Sequence, residues 1–114
     1  FVRVDGEYAL DRLLAAADGV GLELDLGWAG AAGADPLTLL ARYADRVDLV
    51  HLKDYDAEAG TTVAVGAGDL DVDAVARAVR DRGVDWVIYE AESGADTYDT
   101  LDAAAAVGAG HFDR

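Results

Sequence analysis

The chain has 114 residues, enough for one small domain with a modest core. Its 23 acidic residues against nine basic ones give a formal charge of -14, which opposes a nucleic-acid backbone or an anionic membrane as partner. The absence of Cys excludes a disulfide framework and cysteine metal sites, and a 53% hydrophobic content excludes a disordered acidic chain.

The acids run through every segment, beside a single lysine, Lys53. Such a coat on an ordinary core suits a salt-rich, halophilic cytoplasm, where repulsion is screened. No apolar run is long enough to span a membrane and nothing resembles a signal peptide, so a cytoplasmic protein is expected. The chain also lacks Met and opens "FVRVDGEY". It is therefore either processed at its N-terminus or a piece of a longer protein, and the order of its elements favours the second.

In chain order, residues 7–17, "EYALDRLLAAA", set Tyr8, Leu10, Leu13, Leu14 and Ala17 at helical spacing, closed by "DG". "VGLELDLGW" alternates Leu22, Leu24 and Leu26 against Glu23, Asp25 and Gly27, which predicts a strand. A Gly- and Ala-rich loop leads to Asp35 as N-cap and Pro36 as the first residue of a helix, "PLTLLARYA". "RVDLVHLKD" predicts a second strand, with Val47, Leu49, His51 and Lys53 on one face and Val50 and Leu52 on the other. A long loop, "YDAEAGTTVAVGAGDLD", precedes the helix 72–82, whose stripe is Val72, Val75, Ala76 and Val79 and whose stop is Gly83. "DWVIYEAE" predicts a third strand and 96–107 a final helix.

A helix followed by three strand–helix pairs implies parallel βα units with right-handed crossovers. Three units make an open sheet or a slice of an eight-fold barrel, which needs about 250 residues. The working end of such a fold is the C-terminal end of its strands. Asp25 stands there on the first strand, His51 and Lys53 on the second, Glu90 and Glu92 on the third. Oxygen and nitrogen donors in this mix suit Mn²⁺, Mg²⁺, Co²⁺ or Zn²⁺. Each residue also has a plainer reading. Asp25 precedes a glycine and reads equally as a turn acid, His51 as a structural residue, and Glu90 as the ion-pair partner of Lys53.

Taken together, "LDLGWAGAAGADP", "VHLKD", "VAVGAGDLD" and "VIYEAE" resemble, in this order and spacing, the C-terminal part of the xylose isomerase-like barrel superfamily. The nearest branch is the sugar phosphate isomerases/epimerases, with inositol-catabolism dehydratases and ketose epimerases beside it. The resemblance implies an α/β fold, the C-terminal part of a (β/α)₈ TIM barrel. Residues 1–114 would form a partial domain of three parallel βα units preceded by a helix, the N-terminal strands being absent from the chain.

The resemblance further implies a divalent metal held by Asp25, His51 and Glu90, with a fourth, acidic ligand on an earlier strand. Glu90 would be the catalytic carboxylate, and Trp28, Lys53 and Glu92 would contact substrate. Trp28 stands where many relatives have a substrate-contacting histidine, which leaves the substrate open. The "VGAGDLD" segment resembles a glycine turn that brings a loop close to the site. The implied activity is metal-dependent isomerisation or epimerisation of a sugar or sugar phosphate, by proton transfer next to a chelated carbonyl or hydroxyl. The same framework serves dehydratases. A truncated barrel would have open edges prone to self-association or to pairing with a missing barrel half. The other class of reading is thus a non-catalytic fragment or pseudo-enzyme. The expected partner is a small sugar or polyol, with no nucleic acid and no membrane.

Overall fold

A computed structural model describes residues 1–91 and 97–112. A short antiparallel ribbon, β1 (Arg3–Val4) and β2 (Glu7–Tyr8), opens the chain and runs into α1 (Ala9–Ala16). Glu7 and Tyr8 therefore lie in the ribbon, not in the helix their spacing predicted. Arg46 donates to the carbonyl oxygens of Leu14, Ala17 and Val20, which ties the C-terminal end of α1 to the chain entering the second parallel strand.

Three strands form the central sheet: β3 (Leu22–Asp25), β4 (Val47–Leu52) and β7 (Trp86–Tyr89), all parallel, in the order β3-β4-β7. Asp35 accepts from the Leu37 amide to start α3 (Pro36–Arg42), with Pro36 in the first turn. Asp71 accepts from the Ala74 amide to start α4 (Val72–Arg82), and Gly83, at φ 67°, ends it in the left-handed conformation. These helices cover one sheet face. Leu39 and Leu40 of α3 and Val75 and Val79 of α4 join Leu24, Val47, Val50 and Leu52 in one buried cluster.

The two faces of β4 differ from the simple alternation. Leu22 pairs with Val47 but Glu23 pairs with Leu49, so Asp48 is skipped. This bulge moves Val47 to the helix-covered face with Val50 and Leu52, all three buried, and leaves Leu49, His51 and Lys53 on the other. The opposite face carries Glu23, Asp25, Leu49, His51, Trp86 and Ile88. No helix covers that face among the described residues: Trp86 is 65% and Ile88 39% exposed. β3 and β7 each have a single strand partner there. This is the wall of a barrel seen from inside.

Two further segments depart from the expected loops. Residues 26–31 form α2 (Leu26–Ala31) directly after β3, where strand and then loop were expected. Asp25 causes the switch, because its Oδ1 accepts from the Trp28 amide at 2.8 Å and caps the new helix. Gly27 and Gly30 lie one turn apart on α2. A Cβ at Gly27 would come within 2.7 Å of the Lys53 stem, and one at Gly30 would overlap the Tyr55 ring. The expected long loop contains an antiparallel hairpin, β5 (Asp54–Asp56) and β6 (Thr61–Val63), against which α2 packs. The described residues close with α5 (Thr97–Val107) and a π-helical turn over Gly108–Phe112, pinned to α4 by His111 on Asp73 and by Arg80 donating to the His111 carbonyl. Asp96, the expected start of α5, lies outside the described residues. No helix among them is long and apolar enough to cross a membrane.

Candidate metal centre

The parallel register sets Asp25 beside His51 and His51 beside Ile88, so Glu90, two residues on, extends the same face just past the end of β7. The three side chains converge. One ligand atom from each of Asp25, His51 and Glu90 lies within 4.8 Å of the other two. His51 Nδ1 is 2.9 Å from Glu90 Oε2 and 3.8 Å from Asp25 Oδ2. Two carboxylate oxygens and an imidazole nitrogen on three adjacent rigid strands form a donor set that fits a hard or borderline divalent ion. All three side chains are partly exposed, which leaves such an ion open to small molecules.

Lys53 crosses the same group. Its ammonium donates to Asp25 Oδ2 and to Glu90 Oε2, both at 2.9 Å, while the residue is only 2% exposed. The Lys53 hydrogen bond is the main reason the Glu90 carboxyl sits below its ordinary value; desolvation opposes the shift, and Lys53 charge and His51 add to it. Sequence reasoning set Lys53 either beside substrate or against a carboxylate. In this geometry it lies against the carboxylates, and it would touch substrate only by leaving them. Trp28 is half exposed, its ring 5.8 Å from the Lys53 ammonium. An open cleft of about 450 Å³, bordered by Phe1, Leu10, Asp25 and Trp28, adjoins the site. Glu92 lies outside the described residues.

Two residues of this region were not anticipated. Glu23, two positions before Asp25 on the same face, contacts His51 Nε2 through its Oε1. Period-two alternation was the signal that could have found it. The other is the extent of the role of Asp54. This carboxylate, 0% exposed, accepts from four backbone amides: Tyr55 and Leu70 on Oδ1, Gly66 and Gly68 on Oδ2, at 2.8–3.0 Å. It gathers the glycine turn onto the end of β4. Gly66, at φ 89°, needs a glycine conformation, and a Cβ at Gly68 would overlap the Tyr55 carbonyl.

The comparisons agree with this architecture. The family model described as Xylose isomerase-like TIM barrel matches residues 6–112. Two curated proteins, inosose dehydratases from Lacticaseibacillus casei and from Lacticaseibacillus casei strain BL23, are each 31% identical over 103 residues, covering 73% of this chain. The chain spans only 35% and 34% of their respective lengths. Parallel βα order, a helix-covered outer face, an uncovered inner face and the family match over nearly all of the sequence lead to one conclusion: the chain belongs to the xylose isomerase-like TIM barrel family.

Proposed function

We propose that this chain carries the metal-binding rim of an enzyme that moves a proton next to a carbonyl or hydroxyl of a sugar or polyol. The observation that supports this reading is the convergence of Asp25, His51 and Glu90 at the ends of three adjacent parallel strands. Asp25, His51 and Glu90 would hold a divalent ion (Mn²⁺, Mg²⁺, Co²⁺ or Zn²⁺), which would supply Lewis acidity beside the carbonyl and so acidify the adjacent C–H.

Glu90 is the proton-transferring group of this proposal. Its carboxyl is held in the ionised form mainly by Lys53, and its side chain is 42% exposed, within reach of a small molecule. Asp25 holds its orientation through the N-cap bond of α2, so its Oδ2 is fixed while Oδ1 is engaged. Lys53 offsets the charge that two close carboxylates would otherwise accumulate. The cleft beside Trp28 is roomy enough for a monosaccharide-sized molecule, and we assign Trp28 to one wall of it.

Return of the proton to a neighbouring or inverted carbon gives isomerisation or epimerisation, which the resemblance to sugar phosphate isomerases/epimerases favours. Loss of a β-hydroxyl after the same proton removal gives dehydration, which the similarity to proteins named inosose dehydratases supports as the second reading. Incubation of ketoses and keto-polyols in D₂O with Mn²⁺, followed by NMR, separates them. Deuterium at the carbon beside the carbonyl with an interconverted sugar indicates the first, and a dehydrated product the second. Absence of both exchange and product, in a protein that binds the metal, would refute the proton-transfer proposal.

A further inference from the structure

We propose that Glu23 is a positioning residue that selects which nitrogen of His51 faces the metal; this rests on the metal-centre reading above. The imidazole has two distinct sides in this structure. Nδ1 points at the ligand oxygens, 2.9 Å from Glu90 Oε2 and 3.8 Å from Asp25 Oδ2. Nε2 points the other way, onto Glu23 Oε1. A neutral imidazole carries one N–H and one lone pair. If Nε2–H donates to Glu23, the lone pair is on Nδ1, which suits a metal ion between Nδ1 and the carboxylates. Without an ion, Nδ1 at 2.9 Å from Glu90 Oε2 hydrogen-bonds it only when Nδ1 carries a proton, so the selection acts in the metal-bound state.

The arrangement follows from the sheet. Glu23 pairs with Leu49 and Asp25 with His51 across the β3–β4 register, so Glu23 and Asp25 flank the His51 ring on one face. The Glu23 side chain is 56% exposed and the His51 side chain 21% exposed, so Glu23 acts from outside on a ring that is mostly enclosed. A carboxylate accepting the outer N–H of a metal-binding histidine fixes the ring and raises its basicity, and losing one costs about 10–100-fold in metal affinity. The Glu23 side chain is more than half exposed and has His51 as its side-chain partner among the described residues, so substitution of Glu23 costs little folding stability and separates this role from a structural one.

The test measures Zn²⁺ affinity by calorimetry for the full chain and for its Glu23→Gln and Glu23→Ala variants. Long-range ¹H–¹⁵N spectra of His51 are recorded on the Zn²⁺-loaded proteins. The expected results are weakening of about 10–100-fold in Glu23→Ala and a smaller loss in Glu23→Gln, whose amide oxygen still accepts the N–H. The wild type should show Nδ1 ligated and Nε2 protonated, and all three proteins in their metal-free form the same melting temperature. Equal losses in the two variants would assign the effect to charge alone and overturn the proposal. Unchanged affinity in Glu23→Ala, or Nε2 as the ligated nitrogen, would overturn it as well. Failure of the wild type to bind Zn²⁺ at all would instead remove the metal-centre reading on which it stands.

Discussion

Replacing Asp54 by Asn removes one negative charge and one oxygen from an enclosed position. By charge alone the change should help, since the chain carries a net -14. The hydrogen-bond geometry predicts the reverse. Oδ1 serves the Tyr55 and Leu70 amides and Oδ2 the Gly66 and Gly68 amides. Whichever way an Asn amide is turned, its NH₂ faces two of these N–H groups. The Leu70 amide is fully buried, and an unmet buried donor costs about 1–3 kcal/mol. The other three amides are partly buried and recover some of their loss from water, leaving about 0.5–1 kcal/mol each. The sum is about 2.5–6 kcal/mol for Asp54→Ala and about 1–2 kcal/mol for Asp54→Asn, whose oxygen keeps the Tyr55 and Leu70 amides and leaves those of Gly66 and Gly68 unmet. Against a total stability of order 5–15 kcal/mol, the alanine loss is a large fraction. Urea unfolding followed by the fluorescence of Trp28 and Trp86 measures it directly. A loss below about 1 kcal/mol in Asp54→Asn, or a gain, would refute the view that this carboxylate holds the loop.

Three further outcomes are expected. Gly30→Ala should cost about 1–3 kcal/mol by overpacking against the Tyr55 ring, and a double-mutant cycle with Tyr55→Ala should recover most of it, which unfolding curves of the four proteins will report. Glu90 has a depressed folded-state pKa, so its contribution to stability is complete above the ordinary value of 4.5 and is lost as pH falls through the lower folded value; Lys53→Met should move the Glu90 titration in carbon-detected NMR back up toward 4.5. The dispersed acidic charge predicts that the urea midpoint rises with KCl concentration and then levels as screening saturates; a midpoint independent of KCl would argue against a salt-adapted surface.

The positions of Asp25, His51 and Glu90 at one rim were legible because strand alternation and βα order are both carried by local patterns. Pro36 after Asp35, and Gly83 at the end of its helix, likewise announced their roles through backbone preferences that need no tertiary context. The switch from β3 to α2 was not legible. Leu26 continues the apolar alternation, and only the cap from Asp25 and the close approach of Lys53 and Tyr55 to Gly27 and Gly30 make a helix there. The exchange of faces at Val47 was hidden for a similar reason, since a bulge at Asp48 is a property of the pairing and not of either strand. Asp54 read as the first residue of a loop, whereas its four amide donors come from its own neighbour and from residues 12 to 16 positions away. The partition of Lys53 between substrate and carboxylates likewise depends on distances across strands, 28 residues to Asp25 and 37 to Glu90.

The most direct test of the metal-centre proposal is bound metal per chain. The chain is loaded with Zn²⁺ or Mn²⁺, dialysed at molar KCl and analysed for metal by mass spectrometry, beside His51→Ala. The proposal predicts one ion per chain in the wild type and none in the variant. A wild type that retains no stoichiometric ion, or a His51→Ala protein that retains it equally, would contradict the assignment of Asp25, His51 and Glu90 as its ligands.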